Sequence, residues 1–309
     1  MKKRIDGVVR LSRYKEFFFF VVITSLLGAA AGNGKFGWSL ILLLAGNWLA
    51  VAFAFMINDV EDAPDDALTP SKAIRNPVSA RLLSPRLARY ASFGVALLAL
   101  IIYSCLGLIP FLLGLFCLVL GFLYSWRFIR FKTLPFLDIA SHCLMLAGLQ
   151  FLTAFFTFSS NFNQKWIFPF ICILSLSIYG ELFNELRDFE GDIKAGLTHT
   201  AAFLGEQLSH FLMLICGVIG IATAILTIAI DGLIPLWVVI LLVVFISILV
   251  IPRMIRMKRI KSSLALQEPF QKPIEIAAAF ALFIQFLAPW ADRLLPLNAF
   301  WIFLSSLVR

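Results

Sequence analysis

Apolar stretches close to twenty residues long recur along the whole of this 309-residue chain, separated by short polar connectors. A bilayer core about 30 Å thick takes about 20 residues of helix to cross. A chain with many such stretches therefore folds as an all-α bundle of membrane-crossing helices. Composition agrees, since 61% of the residues are hydrophobic and only 14% charged, against about 25% charged in soluble domains. An ordinary soluble domain is excluded, and the connectors leave no room for a sizeable extramembrane one. Function must lie in the helix bundle and its loops.

Apolar runs bounded by Pro, Gly and charge place nine spans near 16–32, 37–57, 87–105, 108–126, 134–158, 166–183, 207–229, 233–252 and 274–291. The tail from Pro296 to Val308 is short for a crossing; it completes the last span, lies at the interface or adds a tenth. With a cytoplasmic N-terminus, the basic residues alternate from connector to connector as the positive-inside rule requires. Only Lys35, Lys165, Arg293 and Arg309 then fall outside. The net charge of +8 thus reflects orientation and not a nucleic-acid partner. The first 32 residues also have the outline of a signal peptide, but the later spans favour a retained first helix. The five cysteines form no CxxC pair and sit in apolar runs, as buried thiols do. The expectation is a multi-pass protein of the cell membrane, plasma or inner, with one domain over 1–309 and no obligate protein partner.

The acidic residues are concentrated in two windows. Asp59, Glu61, Asp62, Asp65 and Asp66 follow the second span, and Glu181, Glu185, Asp188, Glu190 and Asp192 follow the sixth, both at the cytoplasmic end. The same element recurs four spans later, once in each half (1–133 with 58–66, 134–309 with 184–192), as in membrane proteins built from internal repeats. Asn58, Asp62 and Asp66 are four apart, as are Asn184, Asp188 and Asp192, which places each set near one helix face. Pro64 predicts that the first helix ends or kinks inside its motif, with Asp65 and Asp66 opening a new segment.

Carboxylates at this density repel one another unless a cation sits between them. Neither window holds Cys or His, so zinc and copper fit poorly, whereas magnesium prefers oxygen and completes its shell with water and phosphate. A magnesium-bound phosphate or diphosphate is the expected ligand. Lys72, Arg75, Lys194, Arg127, Arg130 and Lys132 are placed to neutralise the oxygens that magnesium leaves free. Off the repeated positions, Glu61, Asp65 and Glu190 are expected to be solvated or to support the ligands. Asp138 lines the site or caps its helix, His142 and His210 read as packing residues, and His199 has no metal partner in sequence.

With these residues in view, "NDVEDAPDD" resembles the NDxxDxxxD signature, and "ELRDFEGDIKAGLTHTAAFLG" the DxxDxxxD signature, of the UbiA superfamily of intramembrane prenyltransferases. The resemblance covers nearly the whole chain, including "RNP" after the first motif and Tyr-Ser followed by basic residues at Tyr124 to Lys132. It implies a nine-helix bundle around a central cavity, in which two magnesium ions (Mg2+) hold a polyprenyl diphosphate. Ionisation of the allylic carbon–oxygen bond releases pyrophosphate, and an unidentified lipophilic or aromatic acceptor captures the cation. The implied metal ligands are Asn58, Asp59, Asp62, Asp66, Glu185, Asp188 and Asp192. Implied catalytic residues are Asp62, Asp66, Asp188, Asp192, Lys132 and Tyr124; implied diphosphate ligands are Asn58, Lys72, Arg75, Arg127, Arg130 and Lys194. Glu185 replaces the usual Asp, Ala80 stands where many members have Gly, and Tyr124 lies further from Lys132 than the family's Tyr and Lys pair.

A terpene cyclase or a phosphoribosyl-lipid synthase of the same fold would keep this site. A divalent-cation transporter is the alternative of another class; transporter repeats are often inverted with sites near the midplane, whereas both motifs here emerge on one side. A CDP-lipid synthase is disfavoured because its Asp-Gly-rich pattern is absent.

Overall fold

The computed structural model describes residues 2–194, 196, 198–256 and 267–294. An amphipathic helix, α1 (Lys2–Leu11), precedes α2 (Tyr14–Ala31), α3 (Trp38–Asp66), the short α4 (Pro70–Arg75), α5 (Pro85–Leu106) and α6 (Leu108–Ser125). Then come α7 (Leu137–Cys143), α8 (Leu149–Phe158), α9 (Ile167–Lys194), α10 (Thr200–Leu204), α11 (Glu206–Ala229), α12 (Leu236–Arg256) and α13 (Gln267–Leu294). Among the described residues nine helical segments are long and apolar enough to cross a membrane, with α7 and α8 together making the fifth. Each coincides with an expected span. The apolar tail from Pro296 lies outside the described residues, as does the end of the basic run from Arg253.

Three boundaries differ from expectation for local reasons. The second and sixth spans continue as α3 and α9 through their acidic motifs, so both motifs are helical. Pro64 neither ends nor restarts α3: it removes only one hydrogen-bond donor, the helix stops two residues later, and Asp65 and Asp66 form its last turn. The fifth span starts at Leu137 after Phe136 in a left-handed conformation, and a π-helical turn over Leu144–Gly148 separates α7 from α8.

Among the described residues, the two largest of four apolar clusters make up most of the interior. One joins α3, α5 and α6 through Phe53, Met56, Ile57, Tyr103 and Leu118, and the other joins α2, α8, α9 and α13 through Leu26, Phe151, Phe155, Ile173 and Leu282. Outward faces carry exposed Leu97, Ile101, Phe116, Val218, Ile225 and Ile248, the surface that lipid requires. Inside, the Asn47 amide donates to Ser25 Oγ (2.8 Å) and the Gln150 carbonyl (3.0 Å) and accepts from Tyr103 OH (2.9 Å), linking α2, α3, α5 and α8. Such bonds across helices add to packing where lipid supplies no hydrophobic drive.

The sequence Gly28-Ala-Ala-Ala-Gly32 packs α2 closely against α8. A Cβ at Gly28 would run into the Phe151 carbonyl oxygen, and one at Gly32 would stand 2.6 Å from that of Phe155. Both obstacles are backbone and cannot turn aside. Gly28→Val should therefore destabilise the bundle by about 1–3 kcal/mol, the usual cost of overpacking. A melting temperature in detergent equal to the parent's would refute the close approach.

Candidate functional site

The last turns of α3 present two faces. A helix advances about 100° per residue, so residue i+7 returns to within about 20° of residue i, whereas i+8 is about 80° away. Asn58, Asp62 and Asp65 therefore align, and Asp59, Ala63 and Asp66 form a separate line. The expectation of Asn58, Asp62 and Asp66 on one face is corrected accordingly. Asp65 faces the basic connector, and Asp66 faces the loop after α3.

The first face is covered by residues 126–133. Arg130 Nη2 donates to Asp62 Oδ1 (3.0 Å) and to Asp65 Oδ2 (2.8 Å), and Lys132 Nζ donates to Asn58 Oδ1 (2.9 Å) and to Asp62 Oδ2. Arg127 Nη2 donates to Asp65 Oδ1 (2.7 Å) and its Nε to the Glu61 carbonyl (2.9 Å), while Arg89 pairs with Glu61 at 3.2 Å. All three basic residues of the connector thus meet the motif. Burial pushes the Lys132 ammonium below the usual lysine range, against the opposing pull of Asp62. Arg130 Nε is buried without a hydrogen-bond partner among the described residues, a charged donor with capacity left for an anion.

The second face is turned away from these cations. Asp59, fully buried, accepts from Arg13 through both oxygens, at 2.5 Å from Nη2 and 3.2 Å from Nε. Asn76, also fully buried, donates to the Asp59 carbonyl (2.8 Å) and to Asp66 Oδ2 (2.9 Å), and its Oδ1 accepts from the Val78 N–H (2.9 Å). Arg13 and Arg130, which grip opposite sides of the motif, are both in left-handed backbone conformations with φ of 46° and 50°. A left-handed non-Gly residue costs about 1–2 kcal/mol, here offset by the ion pairs it makes possible. Lys72 and Arg75 are exposed on α4; Arg75 is near enough to act on Asp59 through its charge, but among the described residues neither makes a side-chain hydrogen bond to the motif.

On α9 the inward line runs through Glu181 and Glu185 and not through Asn184. Glu181 accepts from Tyr124 OH (3.2 Å) and meets His142 Nδ1 (3.3 Å). Glu185 Oε2 accepts from the Ala201 N–H (2.7 Å) and meets His199 Nδ1 (3.2 Å). Asn184 and Asp188 are exposed, and Asp188 pairs with Arg187 at 3.1 Å. Asp192 and Lys194 belong to the last turns of α9, and their side chains lie outside the described residues. Asp138, 1% exposed, opens α7 and accepts from the Thr200 N–H (2.5 Å) and hydroxyl, which ties α7 to the loop after the second motif. His199 and His142 thus partner the acids directly, a role that spacing along the sequence could not reveal.

The C-terminal turn of α6 connects the two acidic helices. Ser125 Oγ donates to Asn58 Oδ1 (3.2 Å) on α3, while its neighbour Tyr124 reaches Glu181 on α9. Successive helical residues point about 100° apart, so one turn can serve both sides. Among the described residues no three of His, Cys, Asp and Glu converge to cage an ion by themselves. The first face nevertheless suits magnesium, because its donors are carboxylate and amide oxygens and because magnesium usually takes only one or two carboxylates beside water and phosphate. Asn58 and Asp62 are the groups on that face that would hold it.

Residues 18–268 match the UbiA prenyltransferase family. The chain belongs to that family. As a UbiA-family member it is 28% identical over 221 residues to lycopene elongase/hydratase of Haloarcula japonica, covering 68% of this chain and 70% of that protein. It is also 28% identical over 161 residues to digeranylgeranylglyceryl phosphate synthase of Sulfolobus acidocaldarius, covering 52% of this chain and 55% of that one. The fold matches that of a UbiA homologue from Archaeoglobus fulgidus bound to GPP and Mg2+, with a TM-score of 0.66 at 21% identity over 89% of this chain and 99% of the other. A UbiA homologue from Aeropyrum pernix gives 0.67 at 18% identity, over 88% and 98%. This UbiA-family chain is an enzyme, a prenyltransferase built as an integral multi-pass membrane protein.

Proposed function

We propose that the protein transfers a prenyl group from a polyprenyl diphosphate to a lipophilic acceptor in a magnesium-dependent reaction, releasing pyrophosphate. The observation that carries this reading is the closure of Arg127, Arg130 and Lys132 over Asn58, Asp62 and Asp65. Carboxylates and cations interleaved at the end of two apolar helices can hold opposite parts of one ligand: metal on the acids, free phosphate oxygens on the bases. Bound magnesium would neutralise charge on the leaving diphosphate. Arg130, with its remaining donor, and Lys132 would bind that diphosphate directly, while Asp188 and Asp192 on α9 would serve a second ion. Relatives named for digeranylgeranylglyceryl phosphate and for lycopene support an isoprenoid lipid as acceptor. The acidic ends of α3 and α9 face the cytoplasm, together with the N-terminus, because the basic connectors lie on that side.

Binding can be tested without an acceptor. A non-ionisable geranylgeranyl diphosphate analogue should raise the melting temperature of the detergent-purified chain with magnesium and not with EDTA. Arg130→Gln should weaken that binding about 10- to 100-fold, the worth of one or two charged hydrogen bonds. No shift with prenyl diphosphates of any length, together with uptake of labelled divalent cation into vesicles, would replace this reading with transport.

A further inference from the structure

Glu181 differs from the acids of the first motif in its company. Asp59, Glu61, Asp62 and Asp65 each meet an Arg or Lys. Glu181, whose side chain is 10% exposed, meets a phenol and an imidazole: Tyr124 OH at 3.2 Å on one oxygen and His142 Nδ1 at 3.3 Å on the other. A carboxylate locked to a guanidinium has its oxygens engaged by a fixed positive charge, whereas Glu181 is held in place by a hydroxyl and an imidazole. Three different spans supply these groups, and a carboxylate inside a membrane span is costly unless it has work there.

Position adds to chemistry. Glu181 precedes Glu185 by one helical turn, about 5–6 Å further from the polar end of α9. A diphosphate held at the level of the motifs would place its allylic carbon, and the acceptor that attacks it, on that apolar side. The Tyr124 hydroxyl belongs to the α6 turn whose Ser125 touches Asn58, so Glu181, one turn before the second motif, is linked through α6 to the first. Two residues after His142, at Leu144–Gly148, the π-helical turn begins. An extra residue in a turn rotates the helix before it relative to the helix after it, and such turns recur at functional sites. Here it frees α7 to face α6 and α9 while α8 keeps its seat on α2.

We propose that Glu181 is the proton acceptor of the transfer step and that His142 and Tyr124 are its positioning residues. This rests on the prenyl-transfer reading above. The acceptor's electron pair forms the new bond to the allylic carbon as the carbon–oxygen bond breaks, and that bond's electrons leave with pyrophosphate. The acceptor's O–H or C–H proton passes to the Glu181 carboxylate, and its bonding pair stays on the acceptor. His142, on the other carboxylate oxygen, orients Glu181.

The test uses the full chain in lipid vesicles with magnesium and geranylgeranyl diphosphate, and as acceptors geranylgeranylglyceryl phosphate, lycopene and an aromatic quinone precursor. Glu181→Gln should lower kcat at least about 100-fold, the lower end for loss of a general base. KM for the diphosphate and the analogue-induced thermal shift should stay within about twofold of the parent, and Glu181→Asp should recover at least about tenfold over Glu181→Gln. A kcat within about threefold of the parent in Glu181→Gln overturns the inference alone. Parallel loss of analogue binding also overturns it, by making Glu181 a headgroup or structural residue. A parent that prenylates none of the acceptors overturns the transfer reading, and this step with it.

Discussion

Asp62→Ala is expected to lower prenyl transfer at least about 1,000-fold, equivalent to about 4 kcal/mol of transition-state stabilisation, while leaving the bundle folded. Asp62 is the one acid gripped by both Arg130 and Lys132, and its side chain is only 16% exposed. Removing it would take away a proposed metal ligand and release the two cations proposed to bind the diphosphate. The Lys132 ammonium, already disfavoured by burial, would then lack its carboxylate. Asp62→Asn keeps the shape and should be equally inactive, which separates charge from packing. Asp65→Ala is the control, because Asp65 is 48% exposed and shares only Arg130 with Asp62, its other partner being Arg127; its loss should cost about tenfold, since exposed charged contacts are worth little. Turnover of Asp62→Ala within about tenfold of the parent would remove the basis for assigning the site to this face.

Arg13→Met should be the most destabilising of the single substitutions. The guanidinium makes two hydrogen bonds to Asp59, whose side chain has no exposure. Removing one partner of a buried pair typically costs about 3–5 kcal/mol, because the other charge is left in a low-dielectric interior. Arg13→Lys should recover only part, since an ammonium cannot reproduce the bidentate geometry. Arg13→Met with Asp59→Leu should recover most of the loss, because an apolar pair of similar volume removes the stranded charge. Thermal unfolding of the four proteins in one detergent decides the matter. A single variant within about 1 kcal/mol of the parent, or a double variant no better than the single, contradicts the account.

The bundle was legible because a bilayer imposes length and polarity on each span; membrane-crossing segments emerged from apolar runs and from the alternation of Lys and Arg. The acidic windows stood out as candidate sites because ten carboxylates at two helix ends have no cheap structural explanation. Pairing within the site was not legible. A four-residue spacing suggested Asp66 beside Asp62, but two steps of four overshoot two turns, and Asp65 takes that place. The register of the basic connector depended on Arg130 adopting a left-handed backbone, which no neighbouring residue announces. Nothing in the "RNP" run shows that the Asn76 amide anchors the motif helix. His142 and His199 are far along the chain from Glu181 and Glu185, the acids they meet, so only the folded chain brings them together.

The turn containing Tyr124 and Ser125 sets a strict limit on how this chain can change length. One residue inserted into α6 ahead of that turn would rotate both side chains by about 100°, taking Ser125 off Asn58 and Tyr124 off Glu181 together. The two halves would lose their alignment in one event, although neither motif had been altered. An insertion in the connector between α8 and α9 carries no such penalty, because rotation is absorbed before the next helix begins. Variation in length should therefore accumulate in the connectors of the far side, while α6 keeps its residue count and acts as the gauge that holds the halves in phase.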